Sequence, residues 1–132
     1  MIVLDTHVLL WVTQQPEKIG KNCTDLIQQA WASQAVAVSA ISFWEIAMLQ
    51  AKGRIHLQGT VQTWRSLLLN QGLKEFGVNG QIGIQAAQLD LHGDPADRLI
   101  AATALVHQAT LCTADEKLLA WHSGLVRQDS RR

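Results

Sequence analysis

The sequence has little of what marks several specialised classes of protein. Its 132 residues include two Cys, two Pro and no Tyr. Cys23 and Cys112 are too few and too far apart for a disulfide framework, and no CxxC spacing suggests a zinc site. Neither a bilayer-length apolar run of roughly 20 residues nor a basic, apolar leader before Asp5 is present. We therefore expect a cytoplasmic protein without a membrane segment.

The sequence also lacks net charge, because 11 basic residues balance 11 acidic ones. The chain has no overall positive field to attract nucleic acid, so any RNA contact depends on local patches. The candidates for such patches are arginines: Arg54, Arg98, Arg127, Arg131 and Arg132. Three of the tryptophans, Trp31, Trp44 and Trp64, fall in segments with a helical pattern, where core packing explains them better than a stacking surface.

What is present indicates one folded domain over residues 1–132, since 48% of residues are hydrophobic and 17% charged. Short apolar or β-branched runs predict strands at residues 2–4, 35–38, 75–78, 109–113 and 125–127. Helical patterns lie between them, at residues 6–14, 19–30, 40–52, 61–68, 81–89, 95–108 and 114–121. Buried strands separated by helices are typical of a three-layer α/β/α sandwich with a central parallel sheet.

Four acidic residues fall at or near the carboxyl edge of this predicted sheet, where open parallel sheets bind their ligands: Asp5, Glu45, Asp97 and Asp115. Helix capping is an alternative for each of them. Asp5 precedes a helix, and Asp94-Pro95 can start another helix with Asp97 in its first turn. Glu45 and Glu116 have the capping-box spacing after Ser42 and Thr113, with Asp115 in the same first turn. Under this alternative the protein is a catalytically inert binding module.

The surroundings of two of the acids favour a site instead. Glu45 is the only charged residue between Ala35 and Ala51, and it shares a helical face with Ile41, Met48 and Leu49. Asp97 heads a stripe formed by Ile100, Ala101 and Ala104. Burying a carboxylate is costly unless something compensates its charge.

Two kinds of compensation remain open. Arg98 or Lys117 would make the acids a structural ion-pair network. A hard divalent cation, Mg²⁺ or Mn²⁺, would equally relieve the repulsion between them. A cation at this edge would favour phosphodiester hydrolysis, since it can polarise a phosphate and activate water.

Five ordered segments carry a family resemblance: LDTHVLLW at residues 4–11, SAISFWEIA at 39–47, GRI at 53–55, DPADRLIAAT at 94–103 and CTADE at 112–116. In order and spacing, up to about Leu119, they resemble the PIN domain and, more narrowly, the VapC-type toxins of bacterial toxin–antitoxin pairs. The resemblance implies an endoribonuclease that depends on Mg²⁺ or Mn²⁺ and cleaves single-stranded regions of RNA. It also implies a homodimer and a small VapB-like antitoxin as partner.

The family's acidic quartet maps onto Asp5, Glu45, Asp97 and Asp115, with Asp5 and Asp97 as the principal metal ligands. Asp94 competes with Asp97, but Asp97 precedes the Ile-Ala-Ala stretch as the family's acid does. By the same resemblance, Thr6, Ser39 and Thr113 are expected to hydrogen bond around the acids.

Other site types have less support. A receiver domain also places acids and Mg²⁺ at strand ends, but it usually carries adjacent acids after the first strand, whereas Asp5 stands alone. The five histidines are scattered without an HExxH spacing, and only His7 and His92 lie near predicted strand ends. No P-loop, GxGxxG or GxSxG motif is present.

Overall fold

The computed structural model describes residues 1–91 and 93–132. His92, expected near the strand ends, lies outside them. Within the described residues the chain forms five strands and seven α-helices, with a short 3₁₀ turn at Pro16–Lys18. In chain order they are β1 Ile2–Leu4, α1 Thr6–Gln14, α2 Lys21–Ala32, β2 Val36–Ser39, α3 Ala40–Ala51, α4 Val61–Gln71, β3 Lys74–Phe76, α5 Gly80–Gln88, α6 Pro95–Val106, β4 Thr110–Thr113, α7 Glu116–Ala120 and β5 Arg127–Asp129.

The strands form one sheet in the order β3-β2-β1-β4-β5, and every neighbouring pair is parallel. The predicted parallel sheet is therefore confirmed. The receiver alternative is wrong, because receiver-like sheets place the third strand against the first, whereas β3 here lies outside β2. The direction of the strand order reverses between β1 and β4, which makes the carboxyl ends of these two strands the expected binding crevice.

The sheet is covered on both faces, as its continuous apolar strands require. Ile2 and Leu4 pack on one face with side chains of α1, α2 and α4. Val3, between them, packs on the other face with α6 and α7. Helix α3 contacts helices of both layers, α1 and α4 on one side and α6 on the other. This places the first half of α3 at the same edge of the sheet as the end of β1.

Two predicted strands are shifted in the structure. The third strand was expected at residues 75–78 but occupies Lys74–Phe76, ending before the exposed Gly77. The last strand was expected at residues 125–127 but occupies Arg127–Asp129. Leu125, on which the prediction rested, is buried but lies before the strand. The strand itself is polar, and its position is set by backbone pairing with β4.

Helix bounds agree to within a few residues, and the differences lie at caps. Asp115 caps α7, so the helix starts at Glu116 and not at residue 114 as predicted. Helix α6 ends at Val106 instead of residue 108, since Gln108 has a positive φ of 52°. Both cysteines are buried and free, and their thiols hydrogen bond to each other although 89 positions separate them in the sequence. None of the helices in the described residues is both long and apolar enough to span a membrane.

Candidate functional site

Hydrogen bonds hold both the backbone and the carboxylate of Asp5 in place at the end of β1. Its backbone N–H donates to the Cys112 carbonyl at 3.0 Å, which continues the pairing of β1 with β4. One carboxylate oxygen, Oδ1, accepts from Thr6 N–H at 2.8 Å, and Oδ2 accepts from the Thr113 hydroxyl at 2.7 Å. The residue is 3% exposed. The capping explanation for Asp5 is thus correct for Oδ1, while Oδ2 is oriented by a residue 108 positions away.

Glu45 reaches the same edge from the second turn of α3. Its Oε1 accepts a hydrogen bond of 2.5 Å from the Thr6 hydroxyl, which also lies 2.9 Å from the Ser42 hydroxyl. Burial raises the pKa of Glu45, and the nearby Asp5 and Asp94 raise it further, against the opposing effect of the Thr6 hydrogen bond. Thr6 therefore links the two acids, since its backbone N–H donates to Asp5 and its hydroxyl donates to Glu45.

Asp115 follows β4 across the crevice from Asp5. Its N–H donates to Thr113 Oγ1 at 3.0 Å, so one hydroxyl connects the two acids. Its Oδ1 caps α7, accepting from Lys117 N–H at 2.8 Å and Leu118 N–H at 3.1 Å. Because capping uses only Oδ1, the other carboxylate oxygen remains available for a ligand.

Asp97 is the acid whose charge is least compensated. Burial raises its pKa to about 7, together with the negative charges of Asp5, Asp115, Asp94 and Glu45. Among the residues that the structure describes, no donor hydrogen bonds to its carboxylate. A half-buried carboxylate near four other acids, to which no described residue donates a hydrogen bond, is suited to bind a positively charged ligand.

The ion-pair alternative is not supported. Arg98 donates its Nε–H to the Leu91 carbonyl at 2.7 Å. Lys117 is exposed. Across residues 1–91 and 93–132, no lysine or arginine forms an ion pair with Asp97, with Asp115 or with Glu45. The described protein groups therefore leave the charge of the cluster largely uncompensated.

Asp94 stands at the rim of this cluster. It is exposed and caps α6, accepting from Ala96 N–H at 3.0 Å, as its Asp-Pro context predicts. It nevertheless lies close enough to raise the pKa of both Asp97 and Glu45. The structure thus gives Asp94 a capping contact and Asp97 the more enclosed position.

Both predicted capping boxes are wrong. Helix α3 is capped by Ser39, whose Oγ accepts from Ile41 N–H at 3.2 Å, so Ser42 lies within the helix and is buried. Helix α7 is capped by Asp115, so Thr113 is not its cap. Of the three residues expected around the acids, Thr6 and Thr113 do hydrogen bond to carboxylates, whereas Ser39 instead bonds the start of α3.

The acids fit a hard divalent cation by their chemistry. All the candidate ligands are carboxylate oxygens, the donors that Mg²⁺ and Mn²⁺ prefer. In the described residues, no group of three His, Cys, Asp or Glu side chains is already arranged to hold an ion. Asp5, Glu45, Asp97 and Asp115 are the residues that would hold it.

Comparison with known proteins agrees with this fold. Residues 2–120 match the PIN domain, a span that begins in β1 and includes all four predicted site acids.

The chain belongs to the PIN domain family.

Among individual PIN proteins, it is 34% identical over 119 residues to Ribonuclease VapC22 of Mycobacterium tuberculosis, covering 89% of this chain and 88% of the relative. Similar folds occur in VapBC2 of Rickettsia felis, bound to a DNA fragment from its promoter, and in VapBC-1 of nontypeable Haemophilus influenzae. The TM-scores are 0.73 and 0.67, the identities 18% and 24%, and at least 97% of each chain is covered.

His7 is a feature of this PIN domain whose contacts sequence reasoning did not identify. Its Nε2 accepts from Ala114 N–H at 3.0 Å, so the ring proton is on Nδ1, which lies 3.6 Å from Asp5 Oδ2. Its ring packs edge-on against Trp11, with centroids 5.0 Å apart. The signal available in the sequence was only its position two residues after Asp5.

Ser42 and Trp44 were also assigned other roles from the sequence. Ser42 was expected to cap a helix, but its hydroxyl is buried against Thr6. Trp44 was expected to pack in the core, but it is 54% exposed. Trp31 is likewise 39% exposed, while Trp64 does pack against the core. Helical periodicity did not distinguish the core-facing Trp64 from the two exposed tryptophans.

Proposed function

We propose that this PIN domain is an endoribonuclease that depends on Mg²⁺ or Mn²⁺, cleaves single-stranded RNA and acts as the toxin of a toxin–antitoxin pair. The observation that carries the proposal is the uncompensated carboxylate cluster around Asp97 at the switch point of the sheet. The identity to Ribonuclease VapC22 supports RNA as the substrate. The names of the structural neighbours support a toxin–antitoxin context.

Four carboxylates have defined tasks under this proposal. Asp5, oriented by Thr6 and Thr113, and Asp97, which accepts no hydrogen bond from the described residues, are the principal ligands. Glu45 and the second oxygen of Asp115 complete the set, directly or through water. When bound, the divalent cation supplies positive charge for the scissile phosphate and lowers the pKa of water.

An apolar groove supports the antitoxin partner. It lies between α1, α2 and α4, with a volume of about 510 Å³. Trp31 and the 55% exposed Leu67 are part of its wall. A partner segment with an apolar face would bury these side chains, and we propose a VapB-like antitoxin as that partner. The homodimer and the cytoplasmic location remain predictions.

Cleavage and metal binding can be tested on the purified chain. Labelled single-stranded RNA and the matching duplex are incubated with Mg²⁺, Mn²⁺ or EDTA, and the products are resolved on a denaturing gel. We expect metal-dependent cleavage that is much faster on the single strand. We also expect Mn²⁺ to raise the melting temperature, because a ligand that binds only the folded state stabilises it.

Two results would contradict the proposal in different ways. Cleavage that persists unchanged in EDTA would exclude a metal-dependent reaction. Absence of both cleavage and a Mn²⁺ effect on melting would favour the inert binding module, in which the acids only cap helices.

His7 provides a separate prediction about the orientation of Asp5. His7→Leu keeps an apolar side chain against Trp11 but removes the group facing Asp5 Oδ2. We expect it to weaken Mn²⁺ binding by about tenfold, the lower end of the range for residues that orient metal ligands. His7→Asn, which restores a donor near the position of Nδ1, should recover part of the affinity. Isothermal titration calorimetry measures both variants.

The matched control for His7 is His122→Leu, an exposed histidine away from the acids. It should bind Mn²⁺ as the wild type does. Equal loss in His7→Leu and His7→Asn, accompanied by equal loss of thermal stability, would indicate that His7 only packs.

A further inference from the structure

A small pocket lies beside the acids. It has a volume of about 190 Å³ and lies along α3. Glu45 and Asp94 line one part of it, Lys52 and Arg54 another, and Trp44 also borders it. The pocket therefore shares two acids with the candidate metal site and adds groups that the proposed chemistry does not use.

The cations of this pocket have no partner among the described residues. Of the five arginines that the sequence offered for phosphate contacts, Arg98 and Arg127 donate to backbone carbonyls. Arg131 and Arg132 pair with Asp129. Within the part of the chain that the structure describes, the side chains of Arg54 and Lys52 form neither an ion pair nor a hydrogen bond. These two charges are therefore available to an anion.

Trp44 is the second independent feature. It is 54% exposed although it belongs to a helix whose neighbouring residues Phe43 and Ile46 are buried. An exposed indole offers a flat face on which any nucleobase can stack. It directly precedes Glu45, so a base on Trp44 would lie next to the metal site and not at a remote surface.

The dimensions favour a nucleotide over a protein segment. A helix with its side chains is about 10 Å across, which exceeds what a pocket of about 190 Å³ can enclose. From Glu45 to Lys52 the axis of α3 rises by about 10 Å. Trp44 and Glu45 thus lie at one end of this line and the cations at the other, as expected for a strand whose scissile phosphate lies at the acids and whose neighbouring phosphate lies at Arg54 and Lys52.

We infer that Trp44, Arg54 and Lys52 form a subsite for one nucleotide of single-stranded RNA adjacent to the cleaved bond. The base stacks on Trp44, and Arg54 and Lys52 bind a phosphate. The inference rests on the proposed function and specifies how its substrate is held. It also gives a physical reason for a single-strand preference, because bases paired in a duplex do not present their faces to an indole.

Binding is measured separately from cleavage, with Asp5→Asn in every protein to prevent turnover. The probes are a fluorescein-labelled single-stranded oligoadenylate and an abasic oligomer with the same ribose-phosphate backbone, both in Mg²⁺. Fluorescence anisotropy gives each Kd over a range of salt concentrations. The two probes separate the contribution of the bases from that of the phosphates.

We expect Trp44→Ala to raise the Kd for oligoadenylate by about 5- to 100-fold and to leave the Kd for the abasic oligomer nearly unchanged. Arg54→Ala should weaken both probes alike and reduce the slope of log Kd against log salt by about 0.7. The controls are Ile84→Ala, an exposed apolar residue on α5, and Lys74→Ala, an exposed lysine at the amino end of β3. Both controls should bind like the parent protein.

Two outcomes would overturn the subsite. One is binding by Trp44→Ala and Arg54→Ala that equals the parent on both probes. The other is dissociation of a dimer by Trp44→Ala, seen by sedimentation, with unchanged RNA affinity at concentrations where the variant is still dimeric, which would make Trp44 an interface residue. Neither outcome affects the proposed function, whose failure would appear as absence of RNA cleavage by the wild type.

Discussion

Replacing Asp5 by Asn is expected to reduce metal-dependent RNA cleavage by about a thousandfold or more while leaving the fold intact. The substitution removes the negative charge at the centre of the cluster, and with it a principal ligand of the cation that the reaction needs. Asn retains an oxygen that can accept from Thr6 N–H, as Asp5 Oδ1 does now. Its amide group faces Thr113 Oγ1, which can turn to accept instead of donate. The hydrogen bonds at the end of β1 can therefore persist.

The measurement is the initial rate of cleavage of labelled single-stranded RNA in Mn²⁺, with circular dichroism and thermal melting as checks on folding. Asp25→Asn is the matched control, because Asp25 is an exposed acid on α2 paired with Lys21. It should cut at the wild-type rate. Wild-type activity in Asp5→Asn would show that the mechanism proposed here is wrong.

The fold was predictable because its signals are local. In a chain of this size, apolar runs such as residues 2–4 form strands that are covered on both faces. The helices between successive strands allow these strands to pair in parallel. The last strand was predicted two residues too early, because the side chains of Arg127–Asp129 carry no apolar pattern. Its position depends on backbone hydrogen bonds to β4, which no composition reveals.

Two of the four acids of the candidate site were identifiable because they are anomalous in their own segments, as Glu45 is in the otherwise uncharged α3. Asp5 and Asp115 were identified by their positions after predicted strands and by the family resemblance. The groups that orient them were harder to identify. Thr113 acts on Asp5 across 108 positions, and the Nε2 contact of His7 is to a backbone N–H 107 positions away. The exposure of Trp44 depends on how α3 is rotated between two layers, and the sequence pattern of α3 is apolar on all sides.

Replacing Asp97 by Asn is expected to stabilise the metal-free protein at pH 8 and to abolish its response to metal. The folded protein holds the pKa of Asp97 at about 7, against an ordinary value of 3.8. The unfolded chain therefore loses this proton at lower pH than the folded chain does. As pH rises from about 4 to about 7, this residue makes the wild type progressively less stable, and above 7 the whole cost is present. Asn carries no charge and avoids it.

The expected gain at pH 8 in EDTA is about 2 kcal/mol, which corresponds to a rise in melting temperature of roughly 7 °C. At pH 4.5 the gain should shrink to about a quarter, because the wild-type carboxyl is then protonated in the folded state and only the unfolded chain has begun to lose the proton. On addition of Mn²⁺ at pH 8 the order should reverse, since the wild type gains binding free energy that the variant lacks. Differential scanning calorimetry at both pH values, with and without metal, gives the melting temperatures of the wild type and the variant under each condition.

Asp25→Asn is again the control, since removing a carboxylate that is already paired with Lys21 should give no stabilisation at pH 8. A destabilised Asp97→Asn at pH 8 would mean that the carboxylate makes a net favourable contact in the folded protein, contrary to its lack of donors. If the variant is stabilised but still responds to Mn²⁺ like the wild type, the metal ligand would be Asp94 and not Asp97. Asp97 is identified as a metal ligand that lowers stability only if two results are found together. Asp97→Asn must be more stable than the wild type without metal, and its melting temperature must not respond to Mn²⁺.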